Sequence, residues 1–353
     1  MDFGYTPAVE QWRERVQDFL DEVIYPAEPT FRDQVLAQAS TNPWGRPPIM
    51  GELKVQARER GLWNLFLPDA EHGAGLTNLE YAPLAELSGR SPLLAPEAMN
   101  CSAPDTGNME VMAHFAKPGM QERWLKPLLE GTIRSAYSMT EPDVASSDAN
   151  NIATRIELEE GSDELVVTGR KWWSSGAMAP ECKVAVVMGL SAPNGEKHRR
   201  HSMVLVPMDA PGVHVQRATH VLGYPDGPHG GHGEILYDAV RVPRDHLLGE
   251  WNGGFAIGQA RLGPGRIHHC MRLIGMAERA FDLMCSRVQN RVAFGKPLAE
   301  QGVVQDWIAQ SRIRIEQARL LVLKTAWLMD TVGNRGAAVE ISAIKVPVAE
   351  KAD

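Results

Sequence analysis

The hydrophobic period changes twice along the chain. In the first third, Val9, Trp12, Val16, Phe19, Leu20 and Val23 recur at three- and four-residue steps, the spacing of one apolar helix face. Pro7 suits the first turn of that helix, and Pro26 is expected just past its end. Thr77 and Glu80 have capping-box spacing and predict a helix over residues 81–88. Residues 121–129 predict another short helix, closed by Gly131. From about Thr132 the period falls to two, with Ile152, Thr154, Ile156 and Leu158 alternating with Ala153, Arg155, Glu157 and Glu159. Apolar runs at 165–168, 184–187, 203–206, 213–215 and 234–237 follow, separated by Gly, Pro and Asp turns. Short strands at regular intervals argue for a compact antiparallel barrel or sandwich. After Gly254 the helical period returns. Val304, Ile308, Ser311, Ile315, Ala318, Val322, Thr325 and Met329 form a long stripe, which fits a helix bundle that also packs against a neighbouring subunit.

An α+β chain in three parts is the expectation: a helical domain at 1–131, a central β-domain at 132–248 and a second helical domain at 249–353. A chain of 353 residues can bury two or three cores. Its net charge of −8 has no basic concentration suited to nucleic acid. The one dense basic run, residues 197–201, reads as a solvated hairpin tip between Pro and Gly. Cys101, Cys182, Cys270 and Cys285 show no C-x-x-C spacing, the economical reading being a reduced cytoplasmic protein. Asp2, Glu10 and Glu14 stand where a signal peptide would be basic, and no membrane span is expected.

The candidate chemistry lies in two strands that run into small, hydroxyl-rich loops. One is Y-S-M-T-E-P-D-V-A-S-S-D, from Tyr137 to Asp148; the other is K-W-W-S-S-G, from Lys171 to Gly176. Together they offer hydroxyls, backbone N–H groups and a large indole, the contacts that a flat polar heterocycle needs. The pieces resemble the flavin-contact motifs "Y-x-x-T-E-P" and "K-x-W-x-[TS]" of the acyl-CoA dehydrogenases, in the same order and at a similar interval. Other segments extend the resemblance over nearly the whole chain. "LPDAEHGAGL" at 67–76 looks like the family's Gly-rich turn, "VRVPRDHLLGE" at 240–250 the exit from its β-domain, and "RVAFGKPL" at 291–298 its "R-x-x-F-G-[KR]" turn. "RLGPGRIHHCMR" at 261–272 is similar to a subgroup fused, in animals, behind a phosphotransferase-like domain.

The resemblance implies an α–β–α fold, bound FAD, and desaturation of an acyl-CoA to the trans-2-enoyl-CoA in fatty-acid β-oxidation. It points to medium-to-long acyl chains, hydroxylated ones included, with an electron-transfer flavoprotein as acceptor and a homodimer or homotetramer as assembly. Tyr137, Met139, Thr140, Trp173 and Ser175 match the flavin contacts: Thr140 and Ser175 as hydroxyl donors to its edge, Trp173 as a cover for one ring face, Met139 through its backbone. Arg291 and Phe294 match residues that reach FAD held mainly by the neighbouring subunit, where the planar fork of Arg suits phosphate oxygens. Ser146 or Ser147 matches a serine near the ligand, and Arg266 an arginine near the CoA end of the acyl channel. Gly263 replaces an Asp that commonly meets the pantetheine, and Gly302 a Gln on the next helix.

Residues 258–265 hold three glycines and Pro264 in a helical pattern, so this helix is expected to kink or to admit a close neighbour. Adjacent His268 and His269 point about 100° apart on a helix, which is poor for joint coordination, and no metal is expected there. "HGAG" at His72 lacks a G-x-S-x-G partner, and "HGGHG" at 229–233 does not link a strand to a helix as a dinucleotide motif would.

No catalytic base is found. Removal of the α-proton needs a carboxylate facing the flavin across the thioester. The family takes it either from a Glu after the β-domain, where this chain has Gly265, or from an acidic residue near the C-terminus, beyond Asp353. Nothing places Glu278 or Glu316 opposite the flavin. The expectation is therefore a fragment of a longer polypeptide, with the base in the missing segment. A flavin oxidase or monooxygenase on the same fold, and a non-catalytic flavin- or acyl-CoA-binding protein, are the alternatives.

Overall fold

Two compact units make up the computed structural model, which describes residues 4–352. A sheet unit takes Pro29–Glu52 and Asn100–Leu262, and a helical unit takes Met1–Glu28, Leu53–Met99 and Gly263–Asp353. The N-terminal third of the chain contributes to both.

Seven strands form the sheet: β1 (Arg134–Ser138), β2 (Arg155–Leu158), β3 (Glu164–Ser175), β4 (Cys182–Leu190), β5 (His201–Pro207), β6 (Val213–Thr219) and β7 (His232–Pro243). Their order is β1-β4-β2-β3-β7-β6, with β5 paired to β4. The expected antiparallel pairing holds except at β4, which meets both β1 and β2 in parallel. The intervening chain between β1 and β4 is long enough for the crossover that a parallel pair needs. β4 and β5 are buried almost throughout, which is why they read as continuous apolar runs rather than as alternation. Ile156, Leu165, Val167, Val187, Val206, Ile235 and Tyr237 are part of the core. The helix Asp105–Phe115 is tied to β1: Asp105 accepts from the backbone N–H and hydroxyl of Ser135 (2.7 and 2.6 Å), and from Arg134 Nε (2.9 Å).

The first helix does not stop at Pro26. Pro7–Phe19 passes through a π turn at Leu20–Ile24 and continues as Tyr25–Gln38. Tyr25 N–H bonds back to Leu20 O, five residues away, and this wider turn admits a proline that has no N–H to give. The same device recurs at Gln121–Leu125, just before Pro127. The basic run is only partly solvated: His198 stacks on Phe255 with ring centroids 4.1 Å apart, and buried His201 bonds Ile152 O through Nε2.

In the helical unit the capping box forms as expected, Thr77 and Glu80 bonding each other's backbone N–H at the start of Asn78–Gly89. Gly302–Gly336 turns Val304, Ile315, Ala318, Val322, Thr325 and Met329 inward. Helix Gly254–Asn290 runs on through Pro264. Within 258–265 a Cβ on Gly263 would lie 2.9 Å from Asn334 Nδ2, and further along one on Gly275 would lie 1.9 Å from Glu86 O; the reciprocal Gly89 would meet Arg272 O at 2.1 Å. Only glycine lets two helix backbones cross that tightly. At Gly265 a Cβ would meet nothing within 4 Å.

Candidate functional site

The two hydroxyl-rich segments come together at the ends of β1 and β3. Trp172 N–H donates to Thr140 O (3.0 Å), and Thr140 Oγ1 donates to Trp172 O (2.7 Å). A carbonyl can only accept, so the single Thr140 proton is committed, and toward a ligand this hydroxyl offers lone pairs rather than the expected donor. Beside it the β3–β7 ladder slips: Lys171 faces Ile235 and Ser174 faces Gly233, so Trp172 and Trp173 stand opposite Glu234 alone. Such a bulge re-aims side chains, and Trp173 sits there in the left-handed region at φ 51°. For a Trp that conformation costs roughly 1–2 kcal/mol. Tyr137, Met139, Thr140, Trp173 and Ser175 are all half-buried, whereas Ser138 and Ser174 between them point into the core.

Two residues of the motifs act from beneath. Lys171, fully buried, donates from Nζ to Glu141 Oε1 and to Met139 O, both at 2.8 Å. Glu141 also accepts the backbone N–H groups of Ala153 and Thr154 at 2.8 Å each. Burial works against the Glu141 charge, yet Lys171 and these donors hold its carboxyl below the usual range. Burial draws Lys171 down to about 8 despite its partner. The pair fixes the backbone on either side of Thr140. Ser146 is spent on the same loop, accepting from Glu141 N–H (2.8 Å), while Ser147 is exposed.

Several contributors lie outside the two flavin-contact motifs. Arg261 lies over the Tyr137 ring, 3.7 Å from its centroid, and donates from Nε to Asn108 Oδ1 (3.0 Å). Glu110 retains some exposed surface, but burial of its carboxyl outweighs Arg261 and pushes it up to about 8. Ser175 Oγ lies 2.9 Å from His232 Nδ1, and His232 Nε2 lies 3.4 Å from Asp226 Oδ2. Asp226 Oδ1 in turn meets His229 Nδ1 at 2.9 Å. Burial opposes the Asp226 charge, but the two histidines outweigh it and hold that carboxyl far below its ordinary range. Ser175 and His232 are cross-strand partners 57 residues apart, a pairing that no local spacing reveals.

Arg266, Arg291 and Phe294 belong to the helical unit. Arg266 is half-buried on Gly254–Asn290, next to Gly265. Val292–Ala293 and Lys296–Pro297 pair as a hairpin whose two tip residues, Phe294 and Gly295, have positive φ, the geometry of a tight two-residue turn. It holds Phe294 99% exposed beside exposed Arg291. Glu278 and Glu316 are engaged by Arg312 and Arg319. His268 packs edge-on against Tyr81 at 4.9 Å, and Cys270 Sγ approaches Ile344 O.

Three family models match end to end: the acyl-CoA dehydrogenase N-terminal domain over residues 6–132, the middle domain over 136–240 and the C-terminal domain over 252–353. The chain belongs to the acyl-CoA dehydrogenase family. It is 56% identical to the acyl-CoA dehydrogenase FadE2 of Mycobacterium tuberculosis, over 98% of this chain and 83% of that protein. It is 52% identical to mouse acyl-CoA dehydrogenase family member 10, covering 98% of this chain but 32% of the relative. With human family member 11 the identity is 49% over 94% of this chain and 42% of the relative. The chain therefore spans less than half the length of these two animal relatives. A solved structure from Mycobacterium abscessus, described as an acyl-CoA dehydrogenase, superposes with a TM-score of 0.94 at 50% identity, over 99% of this chain and 86% of that one.

Family membership makes this an FAD-type oxidoreductase, and the residues present fit the cofactor. A bulged indole and two hydroxyls are held half-exposed at one end of the sheet, beside a loop pinned by an ion pair. No helix among the described residues is long and apolar enough to cross a membrane.

Proposed function

We propose that this chain binds FAD at the end of β1 and β3 and serves α,β-desaturation of a medium-to-long acyl-CoA, hydroxylated chains included. The observation that carries the reading is the half-exposed ledge of Trp173, Thr140 and Ser175, held at the cost of a left-handed Trp. When bound, FAD supplies the hydride acceptor. The chain's own residues orient it: Trp173 covers a ring face, Thr140 and Ser175 meet its edge, and Tyr137 and the Met139 backbone flank it. Ser147 and Arg266 are assigned to acyl-CoA, Ser146 being spent inside its loop. The Arg261–Glu110 cluster beside Tyr137 gives polar partners for a substituted acyl chain.

Arg291 and exposed Phe294 are assigned to the FAD of a neighbouring subunit in a homodimer or homotetramer. Val303, Trp307, Leu320 and Trp327, each about half exposed on helix Gly302–Gly336, supply an apolar face for that assembly. An electron-transfer flavoprotein is the proposed acceptor. A reducing, cytoplasmic setting is proposed from four free cysteines, three of them buried.

A second reading, flavin and acyl-CoA binding without turnover, is favoured by one observation: Gly265 is open, and Glu278 and Glu316 are bound to arginines. Anaerobic visible spectra of the FAD-reconstituted chain, before and after a long-chain acyl-CoA, separate the two. Bleaching means desaturation, and a shifted but unbleached band means binding alone. A chain that retains no FAD overturns both.

A further inference from the structure

The chain Ser175–His232–Asp226–His229 is built for more than holding a turn. Asp226 Oδ2 lies 3.4 Å from Nε2 of His232, a charge contact that favours a proton on that nitrogen, and a neutral His232 so protonated presents a bare Nδ1 to Ser175. A bare Nδ1 takes the Ser175 proton and leaves only lone pairs on the outward side of Oγ. A protonated His232 instead donates to Oγ and frees the hydroxyl proton to point outward. Side chains of His232, Asp226 and His229 are 21–23% exposed, so protons reach them from solvent. The polarity of Ser175 is thus set one bond away from it.

We propose that His232, tethered by Asp226, is a positioning residue that decides whether Ser175 donates or accepts toward the flavin edge. This rests on the reading that Trp173 and Ser175 face FAD. FAD, when bound, would supply at the edge met by Ser175 a group that accepts a hydrogen bond in the oxidised cofactor and donates one in the reduced cofactor. A protonated His232 leaves the Ser175 hydroxyl free to donate and so would match the oxidised form. A neutral His232 makes Ser175 an acceptor and so would match the reduced form, its Nδ1 proton having left to solvent. By linkage, the oxidised site holds the His232 proton more tightly than the reduced site.

Other charged groups around His232 are already engaged. Asp226 and His229 face it from its own loop, and Tyr224 lies near Asp226 on that loop. Along β7, Glu234 is held by Arg170 of β3 and Arg217 of β6. From β6, Thr219 contributes a neutral hydroxyl to His232 O (3.0 Å). The coupling therefore runs through Ser175.

The test is the pH dependence of the two-electron midpoint potential of FAD on the full chain, comparing wild type with His232→Asn and Asp226→Asn. Asn at 232 can still bond Ser175 but cannot titrate. Over the pH interval in which reduction releases the His232 proton, the wild-type slope should be shallower than that of His232→Asn. The difference is up to one proton per two electrons, a tenfold change in equilibrium per pH unit or about 30 mV. Asp226→Asn should move that interval to lower pH, because the imidazolium loses its counter-charge. Equal slopes in all three proteins would overturn the proposal while FAD binding stands. Loss of FAD binding by the wild type would overturn the underlying reading as well. A nitrogen-15 histidine titration of the FAD-free chain gives a second readout: Ser175→Ala should change the His232 midpoint, and an unchanged midpoint refutes the contact.

Discussion

Replacing Lys171 by Met tests whether the candidate site is held from below. Its ammonium is fully buried, 2.8 Å from both Glu141 Oε1 and Met139 O. Removing one member of a buried ion pair typically costs about 3–5 kcal/mol, because the other charge is left in low dielectric. Here Glu141 keeps the backbone donors of Ala153 and Thr154, so Lys171→Met should fall near the lower end, about 3 kcal/mol. Glu141→Gln should be worse. Both carboxylate oxygens accept a backbone N–H, and an amide must turn its NH2 against one of them, at about 1–3 kcal/mol beyond the lost charge. For a unit of this size each kcal/mol moves the midpoint by about 2–4 °C, so Lys171→Met should lower Tm by roughly 6–12 °C. The double variant removes the orphaned ammonium and should be no less stable than Glu141→Gln alone, a coupling that a double-mutant cycle reads directly. Thermal unfolding of the FAD-free chain is the assay. A loss below about 1 kcal/mol in both single variants, or strictly additive losses in the double, would show that the pair does not brace the loop.

Other predictions concern separate parts of the molecule. Arg291→Ala, at an exposed position, should leave stability within about 0.5 kcal/mol but lower the FAD:protein ratio after gel filtration; an unchanged ratio removes Arg291 from the cofactor site. Gly265→Ala, with nothing within 4 Å, should stabilise the helix by about 0.5–1 kcal/mol. The same methyl should weaken acyl-CoA binding if the channel passes there, so unchanged affinity by calorimetry would place the acyl chain elsewhere. His268 is held down to about 3 by burial, against about 6.5 when unfolded. The unfolded chain therefore binds the proton first: stability is full above about pH 6.5 and falls with pH, by about 2 kcal/mol at pH 5. His268→Leu should flatten that acid limb in urea titrations, and equal slopes between pH 6.5 and 5 would refute the assignment.

The periodic features were legible because each is a local pattern with a local cause. The stripe from Val304 to Met329 and the Thr77–Glu80 cap needed no tertiary information, and both form. Where the pattern misled, a compensating geometry lay outside the reading window. Pro26 looked like a terminator, yet a π turn absorbs it and the helix continues to Gln38. The apolar run of β4 implied burial but not its neighbours, so the parallel pairings with β1 and β2 had no sequence signal. The density of basic residues at 197–201 masks His198 and His201, of which one stacks on Phe255 and the other faces Ile152 O.

At the candidate site the motifs name side chains that the fold brings to one ledge, but they cannot give hydrogen-bond direction. Thr140 and Ser175 are both hydroxyls on the same ledge, and from the sequence they look equivalent. Thr140 is bonded to a carbonyl, which fixes it as an acceptor toward any ligand. Ser175 is bonded to an imidazole, which can take a proton or give one. The difference between a fixed and a reversible hydroxyl therefore comes from Trp172 O and His232, one contributed by backbone and the other by a strand 57 residues away. A flavin edge that would change from acceptor to donor on reduction calls for one partner of the second kind, and the proposal gives that part to Ser175.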